Sequence, residues 1–172
     1  MAQFARPDSD ISAGLWDPVG GPSSLFDALN ESTPNDGTDY IEALNGENTT
    51  CELGLTDVDD PGISTGHIIR FRMQGTGSGG PERCKVQLFD GATEIANTGN
   101  QTSRSAWGTK SYTLSIAETD AIGDYTDLRF KITSSNLGGT EDMWVTWAEF
   151  EVPDAVTGGG KARLIFLTGE IE

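Results

Sequence analysis

Any chemistry in this chain has to come from carboxylates or from tryptophans, because little else is on offer. Among 172 residues there are 27 acidic side chains, four tryptophans and a single histidine, His67. One histidine excludes multi-histidine metal centres and leaves little for a catalytic triad. His67 follows Gly66 at the head of the apolar run HIIRFRM, where a structural or surface role is expected. The chain has no Gly-x-Ser-x-Gly elbow, phosphate loop or Cys-x-x-Cys pair. With so many carboxylates, any two can be imagined as a glycosidase pair, so their abundance selects none of them. The expectation is a protein that is not an enzyme.

Two acidic clusters and one aromatic set remain. Asp57, Asp59 and Asp60 bring hard oxygen ligands close together, as a calcium ion requires, and calcium is the one cofactor the sequence admits. The loop lacks EF-hand spacing, and Pro61-Gly62 directly after it also fits a plain surface turn. Asp120, Asp124 and Asp127 bracket a short helical stretch, where Asp124 serves to cap or brace the turn. Trp107, Trp144 and Trp147 form a sugar-stacking platform if they lie exposed and roughly coplanar. The plainer expectation is that Trp144 or Trp147 fills the core while the N-terminal arm covers the other.

The elements that position these residues are mostly strands. Period-two alternation puts Cys51, Leu53 and Leu55 on one face of TCELGL, and Ile69, Phe71 and Met73 on one face of HIIRFRM. Cys84, Val86 and Leu88 share a face of CKVQLF, and Asp90-Gly91 signals a hairpin into ATEIAN. Tyr112, Leu114 and Ile116 alternate inward before AETDAIG changes period. That stretch reads as a short helix starting at Ser115 or Ala117 and stopping at Gly123, and DLRFKI then returns to period two. Strand, short helix, strand is the pattern of a crossing between two sheets. MWVTWAEFEV is apolar on both faces in its first half, as in a central strand. A second short helix is expected over Ser23–Glu31, capped by Ser23 or Ser24. Seven or eight short strands joined by turn residues predict an all-β, antiparallel, jelly-roll-like β-sandwich with one or two short helices.

The length allows one sizeable core. Residues 1–22 read as an extended N-terminal arm or an edge strand, 23–155 as the sandwich, and 156–172 as a linker and a C-terminal strand. A net charge of -16 argues against nucleic acid and anionic membranes as partners. MAQFARPDSD contains no apolar signal region, so synthesis in a reducing cytoplasm is expected. Cys51 and Cys84 then read as small buried hydrophobes, with a cross-strand disulfide as the alternative.

Several phrases in order also carry a resemblance: ARPDSDISAGLW, DALNESTPNDGTDYI, LGLTDVDDPGISTGHIIRFR, AETDAIGDYTDLRFKI and VTWAEFEVPDA. Over about residues 5–155 the chain resembles small jelly-roll virion proteins of tailed bacteriophages and prophages. The resemblance implies a structural protein on the virion surface, made in the host cytoplasm, that decorates the capsid or forms a head or tail appendage. It implies the major capsid protein or another virion protein as partner, and a homo-oligomer such as a trimer. Docking would use the arm's Phe4, Ile11, Leu15 and Trp16 and, in the terminal strand, Leu164, Ile165 and Phe166. No active-site residues come with it. The alternative is a glycan-binding module of a phage fibre or appendage.

Overall fold

The computed structural model describes residues 1–44, 48–77, 82–135 and 141–155. Along the chain run β1 (Gln3–Ala5), β2 (Pro7–Ser12), β3 (Trp16–Val19), a 3-10 turn (Phe26–Ala28), β4 (Tyr40–Ala43), β5 (Thr50–Leu55) and β6 (Ile68–Gly75). Then follow β7 (Arg83–Asp90), β8 (Thr93–Asn97), β9 (Gly108–Thr113), α1 (Ile116–Asp120), β10 (Leu128–Ser135) and β11 (Met143–Val152). Two antiparallel sheets result. Sheet A has the order β3-β4-β11-β6-β9, with β1 also beside β11, and sheet B has the order β2-β5-β10-β7-β8. The all-β sandwich expected from alternation is the fold.

The inward positions are those the alternation selects. Cys51, Leu53, Ile69, Phe71, Met73, Cys84, Val86, Leu88, Phe130 and Ile132 are fully buried between the sheets. Each large apolar side chain removed from water in this way contributes about 1.5–3 kcal/mol. Both cysteines are buried free thiols, and burial pushes the Cys51 thiol up to about 12. They pack as hydrophobes.

The crossing at α1 carries the chain from β9 in sheet A to β10 in sheet B. Ser115 is its N-cap: Ser115 Oγ accepts from the Glu118 N–H, and the Glu118 carboxylate accepts from the Ser115 N–H at 2.7 Å. This reciprocal box satisfies two backbone donors that a helix start leaves free. Ile116, expected inward, is the first helical residue and is exposed, because the strand stops at Thr113. The helix expected over Ser23–Glu31 shrinks to the turn Phe26–Ala28. Its start is capped not by Ser23 or Ser24 but by Asp10 of β2, which accepts from the Leu25 and Phe26 N–H groups.

Residues 1–22 follow the edge-strand alternative and form no free arm. They are built into both sheets, with β1 against β11, β2 against β5 and β3 against β4. A further departure lies on β11. Along one edge β4 pairs with Met143–Val145 and β1 with Phe150–Val152, leaving a gap between them. The segment 29–39 fills that gap: the Leu29 carbonyl accepts from the Ala148 N–H, and the Asp39 carbonyl from Thr146 Oγ1. The linker and strand expected over 156–172 lie outside the described residues.

Candidate functional site: an aromatic face on sheet A

The outer face of sheet A gathers three rings from distant parts of the sequence. β11 presents Trp144, β4 presents Tyr40, and the segment leading into β9 brings Trp107. Tyr40 and Trp144 have ring centroids 4.9 Å apart, Trp107 and Trp144 6.2 Å, and Tyr40 and Trp107 6.0 Å. All three are partly exposed. The planes of Trp107 and Trp144 are inclined by 34° and those of Tyr40 and Trp144 by 36°, while Tyr40 meets Trp107 edge-on at 62°, so the three form an angled cluster and not a flat platform.

The fold dictates this placement. Val145 faces the core against Met73, which turns Trp144 outward beside Gln74 of β6 and Glu42 of β4. Polar groups ring the aromatic patch. Burial and the nearby Asp142 carboxylate raise the pKa of Glu42, with a smaller push from Asp17. The buried Trp144 indole N–H lies beside the Glu42 carboxylate, and this contact offsets part of the rise in the Glu42 pKa. Farther along the face, Asp36 grips Arg72 through its Nε and Nη2.

Trp147 does not join the cluster. A bulge at Thr146 sets Trp147 opposite Arg72, outside the main core, where it is buried under the segment 29–39. Its Nε1 donates to the Glu31 carbonyl at 2.9 Å. So neither Trp144 nor Trp147 fills the core, and the cover over Trp147 is this segment and not an N-terminal arm. Burial pushes the Glu31 carboxyl up to about 7, helped by Asp39 and Asp27.

The acidic loop is dispersed. Asp57 lines a depression of about 230 Å³ with Asp8 and Asp127 on the sheet B side. Asp60 lines another of about 300 Å³ with Ser64, Thr119, Asp120 and Tyr125. Asp59 is tied by its backbone to the Gln3 side chain. Among the described residues no three His, Cys, Asp or Glu side chains converge as metal ligands. Asp57 and Asp60, expected as calcium ligands together with Asp59, thus line separate depressions. Asp124 braces its own turn, accepting from the Thr126 N–H and hydroxyl. His67 is fully buried and bonds the Tyr125 hydroxyl through Nε2 at 3.0 Å; burial lowers its pKa. It is a core histidine.

The docking residues expected near the N-terminus separate as well. Trp16 is buried at 2% exposure and is no docking anchor, because β3 folds it into sheet A. Phe4, Ile11 and Leu15 are exposed, but they sit in sheet A, in sheet B and in the turn after β2. Leu164, Ile165 and Phe166 lie outside the described residues.

No protein-family model matches the sequence. No curated protein matches it either. Among solved structures, the chain is similar to the carbohydrate-binding module TmCBM61, solved with beta-1,4-galactotriose. There the identity is 12% and the TM-score 0.47, over 89% of this chain and 88% of that one. It is similar to a family 29 carbohydrate-binding module at 13% identity and TM-score 0.47, covering 90% of this chain and 92% of that one. It is also similar to part of tailspike protein 4 of bacteriophage CBA120, at 8% identity and TM-score 0.48, over 87% of this chain and 19% of the other. These likenesses concern strand arrangement. At such scores they carry nothing about chemistry, and sandwiches host many unrelated roles.

Proposed function

We propose that the protein is a non-catalytic glycan-binding module whose ligand lies on the outer face of sheet A. The observation that carries this reading is the cluster of Tyr40, Trp107 and Trp144, half-buried and ringed by Glu42 and Gln74. A pyranose ring offers an apolar face of C–H groups and a rim of hydroxyls. Aromatic rings cover the first, and carboxylate and amide groups bond the second. Strands β4 and β11 hold Tyr40 and Trp144, and Trp107 sits directly before β9, so little conformational freedom is lost on binding.

The role is binding and not hydrolysis. Glycoside cleavage needs two facing carboxylates across a cleft that receives the sugar, and the carboxylates nearest the rings lie along one side of an open surface. A module of this kind serves equally on a phage appendage or on another carrier. Capsid decoration, the other expectation, has less support: Trp16 is buried, and the exposed Phe4, Ile11 and Leu15 share no single face.

A glycan array followed by isothermal titration with the tightest hit tests the proposal. Binding is expected, and Trp144→Ala is expected to weaken it about a hundredfold, as for the central anchor of an interface. Trp144 is part-exposed, so the variant should keep its fold by circular dichroism. No binding across the array, or binding indifferent to Trp144→Ala and Trp107→Ala, sinks the reading.

A further inference from the structure

The charges around the rings narrow the kind of glycan, and this step rests on the glycan reading above. β3, β4, β11 and β6 set Asp17, Glu42, Trp144 and Gln74 opposite one another in one row across the outer face. Asp142, just before β11, adds a third carboxylate near Glu42. A ligand stacked on Trp144 and Trp107 therefore has carboxylates on one flank and an amide on the other.

A glycan carrying its own carboxylate would need a free cation here, and among the described residues the cations nearest the rings are paired with carboxylates or turned away. Arg72 is gripped by Asp36 through two nitrogens. Arg104, at this end of the sandwich through its bridge to Gly75, has its Nε 3.8 Å from the Glu82 carboxylate. Lys110 sits opposite the core residue Phe71, so strand alternation turns it away from the outer face.

We infer that the site takes neutral pyranosyl chains, laid across the strands along the Asp17–Glu42–Trp144–Gln74 row, and rejects chains bearing uronate or sialate. Carboxylates accept hydrogen bonds from sugar hydroxyls, and such charge-assisted bonds are the stronger kind. A ligand carboxylate in the same row meets like charge at short range in a chain of net charge -16. The rings also do not suit a quaternary ammonium ion. A cation cage holds its rings apart around a vacant centre, whereas these pack against one another at 4.9–6.2 Å.

The test is isothermal titration of the full chain at neutral pH and low salt. The neutral probes are cellohexaose, xylohexaose and mannohexaose, and the acidic probes are oligogalacturonate and oligosialate. At least one neutral chain should bind roughly tenfold or more tighter than either acidic chain. Glu42→Gln should weaken the neutral ligand several-fold and narrow the gap. An acidic chain that binds as tightly as the best neutral one overturns the inference. If that binding is lost in Trp144→Ala, the glycan reading survives without it. Unchanged discrimination in Glu42→Gln also overturns the inference, and no binding by any probe overturns both.

Discussion

The two outer faces of the sandwich are built from the same alternation and end up chemically opposite. On sheet B the outward side chains satisfy one another. Thr50 and Thr133 share a hydroxyl bond of 2.9 Å, and Arg129 reaches Glu52 and Asp127 at 3.3 and 3.0 Å. Lys131 pairs with Glu52 and lies over the Phe89 ring at 4.2 Å, while Gln87 and Asn97 both donate to Glu94. On sheet A the outward positions near Trp144 leave three rings partly bare. A face whose polar groups match one another is a solvated surface. One that keeps a cluster of aromatic area partly open has capacity left for a ligand.

The sharpest contrast is in binding. Lys131→Ala on sheet B should leave glycan affinity unchanged in the same titration in which Trp144→Ala loses about a hundredfold. Equal losses from both substitutions would erase the distinction between the faces.

The next contrast concerns pH and belongs to sheet A alone. The Glu31 carboxyl, raised from 4.5 to about 7, keeps its proton in the folded chain after the unfolded chain has released it. Between these values the folded state binds more protons, so this group's stabilising contribution is lost as pH rises from about 4.5 to 7. Glu31→Gln is permanently neutral and should remove that slope, giving a higher urea midpoint than the parent at pH 8 and a smaller difference at pH 5. A constant difference across the range would show that Glu31 does not titrate differently on folding.

Smaller effects follow on the crossing between the faces and on sheet B. Ser115→Ala removes the acceptor for the Glu118 N–H and should cost about 1 kcal/mol in denaturant unfolding. Lys131→Ala breaks a partly exposed pair and should cost less than about 1 kcal/mol, shrinking further in high salt. A larger loss from Lys131→Ala than from Ser115→Ala would mean that the ion pairs of sheet B carry more of the fold than their exposure suggests.

Much of the sandwich was legible because burial on one face imposes a period of two. The inward sets led by Cys51, Ile69, Cys84 and Leu128 follow from alternation, and the Ser115 start from cap chemistry. The site was legible only in part. Trp107 and Trp144 can be singled out by type, but Tyr40 joins them through pairing of β4 with β11, and nothing local in the sequence encodes that pairing. Trp147 looked equivalent to Trp144. The bulge at Thr146 and the segment 29–39 separate them, and both depend on long-range contacts. Asp57 and Asp60 are close along the chain, yet they line different depressions, and which neighbours each one meets depends on long-range packing. The segment 1–22 reads as either an arm or an edge strand because its isolated apolar residues show no alternation, and its strands owe their existence to their partners.

The place of β11 also bears on how the protein is made. It is central in sheet A yet comes last among the described strands, and its pairing of Val152 with Gln3 closes a loop of nearly the whole described chain. Chain closure over such separations is entropically slow, and the contacts that reward it arrive late. During synthesis the strands of sheet B can all be present while sheet A still lacks its middle. Trp144 is on that last strand, so the face that would hold a ligand is completed only when the fold itself is.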